Sequence, residues 1–445
     1  MNRAETKRIT RRRVLAGAGA AGAATASGLA GGVLPRAAAG AGGPVPKRPW
    51  WVSTVDRPTL AETNSEFGRF AGPNIFAMYA RLKDERDGEG AVQAERQARR
   101  SRIADSVRQR KPGYDLRDRQ VSEAAWTLMR STAPAEGILS WVLLRVPTPN
   151  ELGVPPYSAG PEEAARTVKT AARLFGAALA GIAPMSEKYV NRREGAREIV
   201  FEDVAAPAAT AARLVIPRKM KWVVAMAVAM DQELMARCPT ALGDTATSLG
   251  YSQCAFTVGT LAEFIRGLGY QAIPSVNDTA QSVPFAVDAG LGELSRLNRL
   301  ITPEYGAAVR LCKVFTDLPM ACDKPIDFGA ASYCKRCKMC AEACPAGALS
   351  FDDEPSYKVR GPWNNPGHRA WFEDAYKCYQ QWQQVTTACS ICFAICPYTR
   401  CARAWAQDAA RSLPQPPPPR VYPYVDGALN WEKQRDSSDW WDRTE

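Results

Sequence analysis

The chain has 445 residues, 46% of them hydrophobic, which is enough for two or three domains and a sizeable core. Its formal net charge is +11, but residues 1–39 carry seven Lys or Arg against one Glu and leave only +5 for the rest, an excess too mild to point to a nucleic-acid partner. A single histidine, His368, excludes metal or haem sites built from several imidazoles and argues against a Ser-His-Asp hydrolase. Beside Gly367 and Arg369 it is expected at the surface or in a local hydrogen bond. Neither a G-x-G-x-x-G fingerprint nor a Walker motif stands out.

Taken in chain order, Thr10-Arg11-Arg12-Arg13-Val14-Leu15 sets paired arginines before an Ala/Gly-rich apolar stretch, and Ala37-Ala38-Ala39 offers small residues for cleavage. That pattern predicts a twin-arginine export signal over 1–39, and with it a location in the periplasm or on the outer face of the cytoplasmic membrane. The competing membrane anchor is disfavoured because Ala and Gly replace Leu, Ile and Phe. Residues 40–160 form an N-terminal unit, in which Arg81–Arg110 is a mixed-charge, solvated helix or connector. Apolar spacing from Val168 to Ala178 predicts an amphipathic helix over 161–182. Trp222 to Met230 reads as a buried strand, Leu261 to Gly269 as a short helix closed by glycine, and Tyr270 to Ile273 as a strand before Pro274. Helices alternating with strands across roughly 120–328 suggest an α+β or α/β core, with 161–328 as its main unit. Residues 329–402 carry the dense cysteines, and 403–445 form a tail with the Pro-rich run Pro414 to Pro419.

Thirteen cysteines in an exported chain would ordinarily mean disulfides, but their spacing overrules that reading. Cys334, Cys337, Cys340 and Cys344, followed by Pro345, form C-x2-C-x2-C-x3-C-P, the bacterial ferredoxin ligand pattern for a 4Fe–4S cluster. A structural zinc site is the bland alternative, and four cysteines so close before a proline speak against it. Cys389, Cys392 and Cys396, before Pro397, repeat the pattern with one cysteine short, and Cys378 upstream supplies it. Crossed ligation as in two-cluster ferredoxins predicts Cys334, Cys337, Cys340 and Cys396 around one cluster, and Cys344, Cys378, Cys389 and Cys392 around the other. Cys238, Cys254, Cys312, Cys322 and Cys401 are expected to be buried small apolar residues, with Cys401 the one candidate for a ligand substitute.

Leu268-Gly269-Tyr270-Gln271-Ala272-Ile273, Pro284 to Arg296, Ile301 to Arg310 and Thr316-Asp317-Leu318-Pro319, followed by the cysteine motifs, resemble the corrinoid-dependent reductive dehalogenases. The resemblance runs from about residue 160 to 402, and the export signal matches that family's respiratory branch. It implies a nitroreductase-like core that holds cobalamin or a norpseudo-type corrinoid, base-off, with a C-terminal ferredoxin-like domain carrying two 4Fe–4S clusters. Electrons from a quinol- or ferredoxin-linked donor would reduce the cobalt to Co(I), which removes halide from an organohalide. It further implies a small membrane-anchor protein as partner, a homodimer, and no nucleic acid.

Carried residue by residue, the resemblance makes Tyr251, in Ser248-Leu249-Gly250-Tyr251, the proton donor. A tyrosine hydroxyl is a weak acid near 10, so a permanent cation beside it would ease proton release; Arg310 fits that task. Asn277 would supply an amide to the tyrosine or substrate, against the alternative that Asn277-Asp278 only makes a turn. Thr247, one helical turn before Tyr251, would line the same wall. Gly290, Gly292 and Glu293 would let the backbone approach the cofactor, against the alternative of a plain tight turn. Twelve tryptophans suit an aromatic wall. Two rivals remain at this point: an epoxyqueuosine reductase-like corrinoid enzyme acting on tRNA, disfavoured by the export signal and by Tyr251 in place of an acid, and a non-catalytic ferredoxin-type electron-transfer subunit, disfavoured by the large core.

Overall fold

A computed structural model describes residues 52–71, 75–130, 139–141, 146–401 and 435–442, and of Arg400 and Cys401 the backbone alone. The expected export signal, the Pro-rich run and the Cys401 side chain lie outside the described residues.

The centre is a four-stranded sheet of β1 (Leu179–Pro184), β2 (Trp222–Ala229), β3 (Ala272–Ser275) and β4 (Val309–Thr316). Its order is β1–β2–β4–β3, with every neighbour antiparallel. Val224, Met226 and Val228 of β2 enter one hydrophobic cluster, while Val223, Ala225 and Ala227 enter another on the opposite face. Successive strand residues alternate faces, and with both faces covered the strand reads as an unbroken apolar run. Full burial of such a side chain stabilises by about 1.5–3 kcal/mol.

Six longer helices accompany the sheet: α1 (Ile75–Asp87), α2 (Ala91–Arg108), α3 (Leu116–Ala125), α4 (Pro161–Leu174), α5 (Ala241–Gly267) and α6 (Ala375–Val385). The expected helix over 161–182 ends at Leu174, and β1 occupies its last residues. Pro161 opens α4, and Ala164, Ala165, Val168, Ala171 and Ala172 face the core. The short helix expected over 261–269 is the end of α5, a 27-residue element whose N-cap Thr240 accepts from the Gly243 amide at 3.0 Å. Most of α5 is buried, so no polar face marks its period. The charged stretch 81–110 is two helices broken at Gly88–Gly90, and α2 buries no residue.

The segment 40–160 is not a separate unit. Ser53–Thr54 pairs with Ile326–Asp327. Ser122 of α3 donates to Asp244 at 3.2 Å, and Ser252 donates to the Ala125 carbonyl at 2.5 Å. The chain end returns as well: Trp441 Nε1 donates to Asp118 at 2.8 Å, and Arg435 N to the Ala236 carbonyl at 2.9 Å. Among the described residues no helix is long and apolar enough to cross a membrane. The cysteine-bearing segment packs around Leu297, Ile301, Ala330, Leu349 and Trp371, together with Cys334, Cys340 and Cys396.

Candidate active site

Buried along most of its length, α5 holds Thr247 and Tyr251 one turn apart on one face. The Tyr251 ring is stacked on Trp126, with centroids 5.3 Å apart and planes 20° apart, and the Arg310 guanidinium carbon lies 4.9 Å from its centroid on a cation–π contact. Arg310 reaches the ring from the start of β4, where it pairs with Val228, and its Nη2 donates to Thr247 Oγ1 at 2.9 Å. Gly250 makes room for that course: a Cβ there would come within 2.9 Å of Arg310 Cγ. Arg310 Nε is buried and has no hydrogen-bond partner among the described residues.

Asn277 follows β3, and its Nδ2 donates to the Tyr251 hydroxyl at 2.9 Å. The amide takes an acceptor position on that oxygen, so the tyrosine's own proton stays available to another acceptor. Both the amide and the guanidinium favour the anion left when that proton departs. The turn that places Asn277 is itself tied down. Asp278 accepts from the Val276 amide at 2.6 Å, and Lys313, buried beneath the sheet, donates to the Val276 carbonyl at 2.9 Å and to Ser282 Oγ at 3.0 Å. Burial lowers the Lys313 ammonium to about 8, against the opposing pull of Asp278. Asp278 ties down the turn, and the Asn277 amide reaches the Tyr251 hydroxyl.

Tyr251, Asn277, Arg310 and Thr247 line a cavity of about 770 Å³, and so do Cys344, Cys378, Cys389 and Cys392. Cys334, Cys337, Cys340 and Cys396 are not in its wall. The thiols bear on one another in two groups. Cys340 is raised by burial, then by Cys396, Cys334 and Cys337. Cys378 is pushed up to about 12 by burial first, with Cys389 and Cys344 among the further causes. Cys392, raised by burial and then by Cys378, also feels Cys340, so the two sets adjoin. Neighbouring buried and half-buried thiols that oppose one another's ionisation fit a cationic iron core, which binds them as thiolates. A cavity of this volume lies within the range of about 300–1,000 Å³ for cofactor sites. His368 does not line it, so its described wall offers no imidazole.

The loop between α6 and the last cysteine motif is held from three sides. Arg119 and Arg99 donate to the Thr386 carbonyl at 2.9 and 3.0 Å, Thr387 Oγ1 to the Pro239 carbonyl at 2.7 Å, and the Ala388 amide to Asp244 at 3.2 Å. Thr386, Cys389 and Ser390 all have positive φ, a conformation uncommon outside glycine, and these bonds hold it in place.

Several expectations meet a different arrangement. Gly290, Gly292 and Glu293 do not line the cavity. Gly290 turns the chain at φ 70 after the helix Ser282–Asp288. A Cβ on Gly292 would come within 2.0 Å of the Ile301 carbonyl oxygen, across the pairing of Glu293–Leu294 with Leu300–Ile301. Glu293 is buried and accepts from the amides of Phe328 and Ala330 at 2.9 and 3.0 Å and from Thr59. All three shape the entry to the cysteine segment. His368 is half-buried between Phe67 and Phe372, at 5.6 and 5.0 Å, rather than at the surface, and burial lowers its pKa. Cys238, Cys254 and Cys312 are buried as expected, whereas Cys322 is exposed. Trp126, Trp382 and Phe393 line the cavity without any sequence pattern that singles them out.

Residues 188–320 match the family model described as reductive dehalogenase subunit, and residues 333–399 match the 4Fe-4S double cluster binding domain. Over these segments the chain is similar to the reductive dehalogenases. It is 38% identical over 275 residues to the tetrachloroethene reductive dehalogenase of Sulfurospirillum multivorans, covering 58% of this chain and 54% of that protein. The chain thus spans about half the length of the curated relatives it matches. Among solved structures, the catabolic reductive dehalogenase NpRdhA superposes with a TM-score of 0.62 at 23% identity, over 86% of this chain and 50% of that one. A reductive dehalogenase structure described as suggesting a mechanism for B12-dependent dehalogenation gives 0.58 at 22% identity, over 86% and 50%. These likenesses show the α+β fold of the family.

Proposed function

We propose that this chain is a reductive dehalogenase catalytic subunit that removes halide reductively from an organohalide at a bound corrinoid. The observation that carries the reading is one cavity with two kinds of wall: the tyrosine–asparagine–arginine group on one side and four cluster-ligand cysteines on another. Two electrons and one proton convert the carbon–halogen bond into a carbon–hydrogen bond and a free halide ion. The corrinoid supplies the low-valent cobalt that reduces this bond. The residues of the chain do the rest. Cys334, Cys337, Cys340 and Cys396 would hold the outer 4Fe–4S cluster, and Cys344, Cys378, Cys389 and Cys392 the cluster at the cavity. Tyr251 gives its hydroxyl proton to the carbon, and Asn277 and Arg310 stabilise the phenolate that remains. Asp244, the buried acid of the wall, already accepts from Ser122 and Ala388, which leaves the tyrosine as the better placed donor.

We also infer export by the twin-arginine route, with peripheral attachment at the outer membrane face through a small anchor protein and electrons from a quinol- or ferredoxin-linked donor. The test of the chemistry is anaerobic reconstitution with corrinoid, iron and sulfide, followed by halide release from an organohalide panel. Loss of a general acid reduces turnover by about 10²–10⁴-fold, and Tyr251→Phe should fall in that range with cofactor content unchanged. Undiminished turnover in Tyr251→Phe would remove the tyrosine from the mechanism.

A further inference from the structure

Arg296 is 1% exposed, and its guanidinium is spent on main-chain carbonyls. Nε and Nη2 donate to the Cys334 carbonyl at 2.9 and 2.7 Å, and Nη1 donates to those of Ser350 and Asp352 at 2.7 Å each. A further contact runs from Nη2 to the Lys335 carbonyl at 3.4 Å, and Trp371 stacks at 5.0 Å. Among the described residues no carboxylate forms an ion pair with it. The Asp352 carboxylate takes Ser350 Oγ at 2.9 Å, exposed Asp353 is paired with Lys338 at 2.6 Å, and Glu354 with Lys335 at 2.8 Å. The guanidinium nevertheless lies directly against the main chain of Cys334, a member of the first thiol set. The second set also has a guanidinium nearby, that of Arg299, which lines the same cavity as Cys378 and Cys392. This one is neutralised: Nη2 lies 2.5 Å from Glu373 Oε1.

We propose that Arg296 sets the reduction potential of the first cluster: its uncompensated charge raises that potential, whereas at the second cluster Glu373 cancels the equivalent effect of Arg299. The inference rests on the reading that each thiol set holds a 4Fe–4S cluster. Reduction adds one electron to a cluster that is already anionic, with no bond made or broken, and a fixed cation close by favours the added negative charge. Arginine keeps its charge even when buried, so the influence does not depend on pH. Burial alone would oppose reduction, but the same dry surroundings strengthen the attraction of the cation. Carbonyl acceptors orient the guanidinium without discharging it, so a residue that looks like a loop clamp also acts as a fixed positive potential.

The experiment is an anaerobic redox titration of the reconstituted holoprotein with dithionite, followed by electron paramagnetic resonance, for wild type, Arg296→Gln, Arg296→Lys and Glu373→Gln. In Arg296→Gln one midpoint should fall and the other stay in place, while Arg296→Lys keeps the wild-type value. In Glu373→Gln the other midpoint should rise, because Arg299 is unmasked; the main-chain bonds from Trp363 and Asn364 to the Glu373 carbonyl survive that change. Unmoved midpoints in a fully loaded Arg296→Gln protein would overturn the proposal, as would equal falls in the Gln and Lys variants, which would make geometry rather than charge the cause. If Arg296→Gln fails to take up iron, Glu373→Gln decides alone, and unmoved midpoints there reject the proposal. Wild-type protein that binds fewer than two clusters would instead overturn the cluster reading itself.

Discussion

Cys389 and Cys392 reach the cavity from one short segment, three positions apart, whereas Tyr251, Asn277 and Arg310 reach it from a helix, a turn and a strand. Short spacing makes the cysteines nearly self-positioning: Arg99 and Arg119 need only fix the Thr386 carbonyl. The tyrosine wall depends on the central sheet, because the register that sets Arg310 opposite Val228 also decides which face of β4 meets α5. A ligand loop can therefore be damaged locally, while the wall can be disturbed from a distance.

The largest effect that sharpens this comparison is loss of a cluster ligand. Cys378→Ala and Cys337→Ala should each lower iron from about eight to about four per chain and abolish halide release. They should differ in corrinoid content, which falls in Cys378→Ala, whose parent side chain lines the cavity, and holds in Cys337→Ala, whose parent does not. Equal corrinoid loss in both would mean that the two sets are not divided as inner and outer.

On the opposite wall the effect is smaller and more specific. A hydrogen bond to a charged group contributes about 1.5–3 kcal/mol, so Asn277→Ala should slow turnover by about 10–100-fold. Asn277→Asp, which cannot donate to Tyr251, should fall as far. Metal and corrinoid content and the melting temperature should stay near wild type, since the Asn277 side chain is exposed to the cavity. A fall in melting temperature matching the loss of turnover would reduce Asn277 to a turn residue.

What could be read from the sequence follows the same division. The iron–sulfur segment was legible because ligand spacing is written in short intervals. Tyr251, Asn277, Arg310 and Thr247 came through the family resemblance, since nothing in their local spacing marks them. Trp126 and Lys313 had neither signal, because their roles exist only once α3 packs on α5 and β4 pairs beside β3. Gly290, Gly292 and Glu293 show the converse: a glycine-rich turn is a local signal, but whether it serves a cofactor or a hairpin depends on what lies opposite. For Gly292 that is the Ile301 carbonyl.

Gly250 tests how tightly the wall is packed. By helix propensity alone Gly250→Ala would gain about 1 kcal/mol. Against this, the new methyl would stand 2.9 Å from Arg310 Cγ and 3.3 Å from Met230 Cγ, and overpacking costs about 1–3 kcal/mol. The expected outcome is a melting temperature within a few degrees of wild type and halide release reduced about tenfold, as Arg310 swings off the Tyr251 ring. Wild-type turnover with a raised melting temperature would show that the arginine tolerates displacement.

The smallest effect on turnover should come from Glu194, beneath the turn that carries Asn277. Burial first, then Asp278, raises its carboxyl from 4.5 to about 7, although Arg197 pairs with it at 2.9 Å. The native carboxyl thus holds its proton up to about 7, while the unfolded one releases it near 4.5. Within that window the native state binds more protons, so stability falls as pH rises, and the whole cost is present above about 7. Glu194→Gln mimics the protonated form. One pKa unit corresponds to about 1.4 kcal/mol, and partial exposure to solvent reduces that value, so the variant should be more stable by about 2 kcal/mol at pH 8 and by nothing near pH 4. Denaturant titrations at the two pH values check this. Because Glu194 and Lys313 both bear on Asp278, a stability gain accompanied by unchanged halide release would show that the turn is held by Lys313 and its carbonyl contacts rather than by the balance of charge below it.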